Sequence, residues 1–173
     1  KYIIGYTPMP YISGGYKSQY ENPCICGSNA LEGPYVVLPG SPNPLAPQPP
    51  GSVNNFNSDI HLTKHPTENK IIAVWRPVYA VSGQTENAVV MSLYDGTSWT
   101  APVNIFYGNI DTAGLRVTSP SLLFNTVTNK WEIYYHNSEA TSSTYLFQKI
   151  TSSSLLSGWD TTPTTVSLAQ PGT

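Results

Sequence analysis

One stretch of this chain occurs twice. Ser58 to Arg76 reads SDIHLTKHPTENKIIAVWR, Thr118 to His136 reads TSPSLLFNTVTNKWEIYYH, and the two align without gaps at an offset of 60. Leu62 falls on Leu122, Asn69 on Asn129 and Lys70 on Lys130. Each copy runs from one strand-like segment through a turn (Pro66 to Asn69, Val127 to Asn129) into a second, aromatic segment. That is a duplicated β-hairpin. In Lys130–His136, Trp131, Ile133 and Tyr135 share one face, the period of two that marks a half-buried strand. A weaker first copy starts at Glu21-Asn22-Pro23-Cys24-Ile25.

A Gly-containing turn ahead of an aromatic residue follows each copy: Gly27 to Tyr35, Tyr94 to Trp99, and Ser152 to Trp159. The middle one carries Asp95-Gly96, a tight-hairpin signal. Hairpin units recurring every 40 to 60 residues or so predict radial repetition, hence a β-propeller. A β-sandwich would explain the strands but not two units in one register. Further strands are expected at Lys1–Tyr6, Pro23–Cys26, Tyr35–Leu38, Ile60–Lys64, Lys70–Arg76 and Ala88–Tyr94. They continue at Ser121–Phe124, Lys130–His136, Thr144–Ile150 and Thr164–Leu168. Thr151 to Leu156 is the single stretch read as a turn of helix.

Composition agrees with an all-β fold. Charged residues are 10% of the chain, against about 25% in an ordinary soluble domain. Sixteen Pro and 13 Gly stand beside 39% hydrophobic residues, so a core is available but a helical bundle is not. The 173 residues suit one domain. Eight Lys plus Arg against ten Asp plus Glu leave no basic field for nucleic acid. No apolar run approaches the roughly 18 residues of a membrane span. Six Pro lie between Pro39 and Gly51, so that stretch is either a linker or a loop pinned on the β scaffold.

Cys24 and Cys26 are the two cysteines. On a strand their Cα atoms would be about 6.5 Å apart with poorly aimed Cβ vectors, so free, buried thiols are expected. His61, His65 and His136 lie elsewhere and there is no second Cys pair, so neither metal nor cofactor is expected. Free thiols suit folding in a reducing cytoplasm, with later work outside it.

Strand–turn–strand units led by Ser-Asp or Ser-Pro resemble the five-bladed β-propellers of arabinanase, β-xylosidase and invertase-like glycosidases. Tyr6-Thr7-Pro8-Met9-Pro10, Glu21-Asn22-Pro23-Cys24-Ile25 and Asn57-Ser58-Asp59-Ile60-His61-Leu62 are more similar still to glycosidase-like or sialidase-like propellers of phages and bacteria. Asp95-Gly96-Thr97-Ser98-Trp99 loosely resembles the sialidase Asp-box. The resemblance implies about three blades of five, at residues 1–57 (with the Pro-rich loop), 58–117 and 118–173. It also implies acidic side chains at the starts of the innermost strands, converging on one sugar. Glycosidases need a paired acid and base there. The aligned starting positions are Asn22, Asp59 and Ser119, of which Asp59 alone is acidic. Glu21 lies one residue early, where the pleat turns it elsewhere, and Asp111 sits in a loop ahead of the third unit.

Asp59 is the catalytic candidate and a candidate sugar acceptor, with an Asx turn cap as its structural alternative. Glu21, His61, Arg76 and Arg116 join it as candidate ligand-binding residues. His61 shares a strand face with Asp59, whose carboxylate would raise the imidazole pKa. Arg76 follows Trp75 and suits ring stacking or a carboxylate partner. Twelve Tyr and four Trp offer sugar-stacking faces or β core. The chain is therefore expected to be a virion- or surface-associated glycan-binding propeller of glycosidase ancestry, a phage tail or appendage component, without turnover. The alternatives are an active glycoside hydrolase and a ligand-free structural virion module. Its expected partners are a glycan or polysaccharide, and other protein chains or missing blades that close the ring; no nucleic acid and no membrane are expected.

Overall fold

Both full copies of the repeat fold as the first two strands of a four-stranded antiparallel sheet. The structure, a computed structural model, describes residues 1–17, 20–52, 55–78, 85–109, 117–138 and 145–167. The chain begins with β1 (Tyr2–Tyr6), a small hairpin of β2 (Tyr11–Ile12) and β3 (Gly15–Tyr16), then β4 (Cys24–Ser28) and β5 (Val36–Val37). A first sheet runs β1-β4-β5. The second sheet holds β6 (Phe56–Lys64), β7 (Ile71–Val78), β8 (Thr85–Tyr94) and β9 (Val103–Asn109), paired in chain order. The third holds β10 (Val117–Asn125), β11 (Lys130–Ser138), β12 (Tyr145–Ser152) and β13 (Thr164–Thr165), again in chain order. The protein is all-β, with no α-helix among the described residues.

The repeat turns are capped alike. His65 Nδ1 accepts the N–H groups of Thr67 and Glu68 at 3.4 and 3.1 Å. Asn125, its counterpart in the second copy, accepts those of Val127 and Thr128 through Oδ1 at 3.0 and 3.2 Å. Thr151 to Leu156 is not helical: Thr151 and Ser152 end β12. The Ser152 hydroxyl then accepts the Ser154 N–H and donates to the Ser157 carbonyl, a side chain competing for backbone groups that a helix would use. Strand β9 was not expected from sequence, because Ala101-Pro102 just ahead of it reads as loop.

The second sheet is buried on both sides. Along β7, Ile72 and Val74 point into a core shared with Leu122, Trp131, Ile133, Tyr135 and Ile150 of the third sheet. Ala73 and Trp75 point the other way, into a core shared with Ile25 and Leu38. Each large side chain so buried contributes about 1.5–3 kcal/mol relative to exposure. The leading strands stand side by side, β1 against β6 and β6 against β10. Gly5 permits this approach, since a Cβ there would sit 3.0 Å from the Leu62 side chain.

The Pro-rich stretch is a pinned loop. Leu45 donates its N–H to the Pro23 carbonyl at 2.6 Å, and Leu45 and Ala46 are buried in the core of the first two sheets. Tyr94 Oη donates to the Pro39 carbonyl at 3.0 Å, and Gly40, at φ +70°, lies so close to the Thr97 carbonyl that any Cβ would clash. Both thiols are free, Cys24 buried and Cys26 half-buried on the same face of β4.

Candidate functional site

The register of each repeat hairpin breaks at one place. In β6 the pairing shifts between Ser58 and His61, and in β10 between Thr118 and Ser121. Asp59 and Ser119 sit in these bulges at φ +56° and +51°. A bulge frees backbone groups from the ladder and re-aims side chains, and Asp tolerates the left-handed conformation better than most residues. Here the two bulges face one another. Asp59 Oδ2 accepts the Ser119 N–H at 3.1 Å. His61 Nδ1 accepts the Leu122 N–H at 3.3 Å.

Arg76, opposite Ser58 on β7, completes the cluster. Its Nε lies 2.5 Å from Asp59 Oδ2, with both side chains half-buried. That N–H is not aligned on the oxygen, so the contact is one of charge rather than a directed hydrogen bond. One terminal nitrogen of Arg76 also donates to the Val117 carbonyl at 3.4 Å. Asp59, Ile60, His61, Ser119, Pro120 and Ser121 line a shallow depression of about 200 Å3 between the second and third sheets.

The fold has a solved counterpart. The crystal structure of an N-acetylgalactosamine deacetylase from F. plautii, in complex with blood group B trisaccharide, matches 95% of this chain with a TM-score of 0.69 at 18% identity. The chain spans 52% of that protein's chain. At this identity the likeness is one of fold. No family model matches the sequence, and no curated protein matches it.

Of the residues singled out from sequence, Asp59, His61 and Arg76 come together. Glu21 does too, contrary to the expectation that the pleat turns it away. It precedes β4 and is not pleated: its carbonyl accepts the Asn57 N–H at 3.0 Å. Its side chain is buried, near the Ser58 hydroxyl and within electrostatic reach of Asp59 and Arg76. Burial pushes its carboxyl pKa up. His61 differs from expectation as well: burial pushes its pKa down rather than Asp59 raising it. Arg76 pairs with Asp59 instead of stacking on Trp75, whose ring faces the core. Arg116 and Asp111 lie outside the described residues.

Sequence reasoning did not single out Ser119 and Ser121 as lining residues. The signal was the repeat itself, which puts Ser119 on Asp59. The Asp95 turn plays a structural part. Its carboxylate accepts the N–H groups of Thr97 and Ser98 at 2.8 and 2.9 Å and the Thr97 hydroxyl at 2.7 Å, which lowers its pKa to about 2. That turn delivers Trp99 onto Tyr94, ring centroids 5.1 Å apart.

Proposed function

We propose that this chain is a glycan-binding propeller of glycosidase ancestry, its three sheets serving as three blades of a five-bladed type at 1–57, 58–117 and 118–173. The observation that carries the reading is the paired bulge. It gathers a carboxylate, an imidazole and two serine hydroxyls at one shallow mouth between successive sheets. Such groups suit sugar hydroxyls. The likeness in fold to a protein crystallised with a trisaccharide supports the same direction. Binding is favoured over hydrolysis because, among the described residues, Asp59 is the one carboxylate on the depression, while Glu21 is buried outside its lining.

One observation favours a hydrolase as the second reading. A buried carboxyl with a raised pKa, near a second carboxylate and an arginine, is an acid–base pattern. The outward face of β1 exposes Tyr2, Ile4 and Tyr6, which supports a covering sheet or partner chain as part of the proposal. A virion or extracellular setting, after folding in a reducing cytoplasm, rests on the sequence resemblance and the free thiols.

The test is retention on an array of oligosaccharides, with aryl-glycoside hydrolysis measured alongside. Retention that weakens in Ser121→Ala, without turnover, is the expected result. Retention on no oligosaccharide overturns the reading, and turnover lost in Glu21→Gln transfers it to the hydrolase.

A further inference from the structure

Among the described residues, the lining of the depression carries no cation of its own. Its side chains are Asp59, Ile60, His61, Ser119, Pro120 and Ser121. The nearby guanidinium of Arg76 is already engaged, with Nε 2.5 Å from Asp59 Oδ2 and a terminal nitrogen on the Val117 carbonyl at 3.4 Å. His61 cannot serve as a positive group while its Nδ1 accepts the Leu122 N–H, because that lone pair must stay free of a proton. The neutral ring keeps its proton on Nε2 and acts as a hydrogen-bond donor there. Among the described residues, the other Asp59 oxygen, Oδ1, has only a long contact to the Ser58 hydroxyl at 3.4 Å. A visiting molecule thus meets an acceptor oxygen with negative charge, an N–H donor and two hydroxyls.

We propose that this depression selects uncharged sugars and turns away acidic ones such as uronates and sialic acids. The proposal rests on the glycan-binding reading and adds the class of sugar. A neutral polyol can donate to Asp59 and accept from His61 without exposing like charges to one another. An acidic sugar brings a carboxylate to the Asp59 carboxylate, while the Arg76 guanidinium beside it is already paired with Asp59. Like charges brought together at a contact surface exclude the wrong ligand more than they set the affinity of the right one.

The test uses paired probes on one array: neutral oligosaccharides, and the same backbones oxidised to uronates or capped with sialic acid, at low and moderate salt. The wild-type chain is expected to retain the neutral member of each pair at least about tenfold better, with the gap narrowing as salt screens the repulsion. Asp59→Asn releases Arg76 from its ion pair and should raise retention of the acidic members. If melting shows that this variant fails to fold, Ser121→Lys adds a cation at an exposed strand position on the rim and should do the same. Acidic probes held as well as neutral ones by the wild type overturn the selectivity while leaving glycan binding intact. Retention of neither class overturns the glycan reading, and the selectivity falls with it.

Discussion

Asp59 and Ser119 occupy the same bulge position in successive sheets, and the carboxylate of the first accepts the backbone N–H of the second at 3.1 Å. The same carboxylate faces the Arg76 guanidinium. Asp59 is therefore both a group on the depression and a tie between the second and third sheets. Asn22 makes a comparable tie ahead of the second sheet, its Oδ1 accepting from the backbone N–H and side-chain amide of Asn57 at 3.3 and 2.9 Å.

Replacing Asp59 should cost stability as well as binding. Asp59→Ala strands the Ser119 N–H and leaves Arg76 unpaired, a loss of about 1–3 kcal/mol. Asp59→Asn keeps an acceptor and a residue that tolerates positive φ, so it should cost less. Urea denaturation of the two variants checks the order. Equal stability of Asp59→Ala and wild type would count against the tie.

The repeat made most of this legible. Aligning Ser58 with Thr118 puts Asp59 on Ser119 and Trp75 on Tyr135, and these are equivalent positions in the structure. What the alignment hid is that a bulge, not regular pleating, presents Asp59, so face arithmetic from a period of two breaks down there. Glu21 was misplaced for a related reason, since it belongs to a loop that folds back onto Asn57. Burial of His61 was equally hidden, because it depends on β10 from another part of the chain.

Trp75 and Tyr135 are both essentially inaccessible, yet only one has its polar atom paired. Trp75 Nε1 donates to Asn57 Oδ1 at 3.2 Å. The residue corresponding to Asn57 in the second copy is Val117, and Tyr135 Oη has no hydrogen-bond partner among the described residues. Tyr135→Phe should therefore raise stability, by about 1 kcal/mol, as an unsatisfied buried hydroxyl is removed. Val117→Asn would supply an acceptor and cancel the advantage of Phe. A destabilised Tyr135→Phe, measured by thermal melting, would contradict the assignment.

His61 should make the fold sensitive to mild acid. Its folded pKa lies below the ordinary 6.5, so the neutral ring is favoured by folding. Stability from this source is complete above pH 6.5 and is lost as pH falls through that value toward the lowered one. His61→Gln should flatten that part of the pH–stability curve. An imidazole titrating above 6.5 by NMR would refute the burial argument.

Glu21 works in the opposite sense. Desolvation raises its pKa, so folding favours the neutral acid, and that contribution is lost as pH rises through the raised value. Glu21→Gln keeps a neutral polar side chain beside Ser58. It should melt higher than wild type at neutral pH, and the difference should vanish below the ordinary carboxyl value of 4.5. A variant that is less stable at pH 7 would show that attraction to Arg76 outweighs burial.

The most direct test of the account is amide chemical-shift mapping of the chain titrated with a neutral oligosaccharide that it retains. The account predicts saturable shifts confined to the facing bulges, at Asp59, His61, Ser119, Ser121 and Leu122. Saturable shifts on the outward face of β1 at Tyr2, Ile4 and Tyr6, with the bulges unmoved, would place the binding surface elsewhere and contradict it.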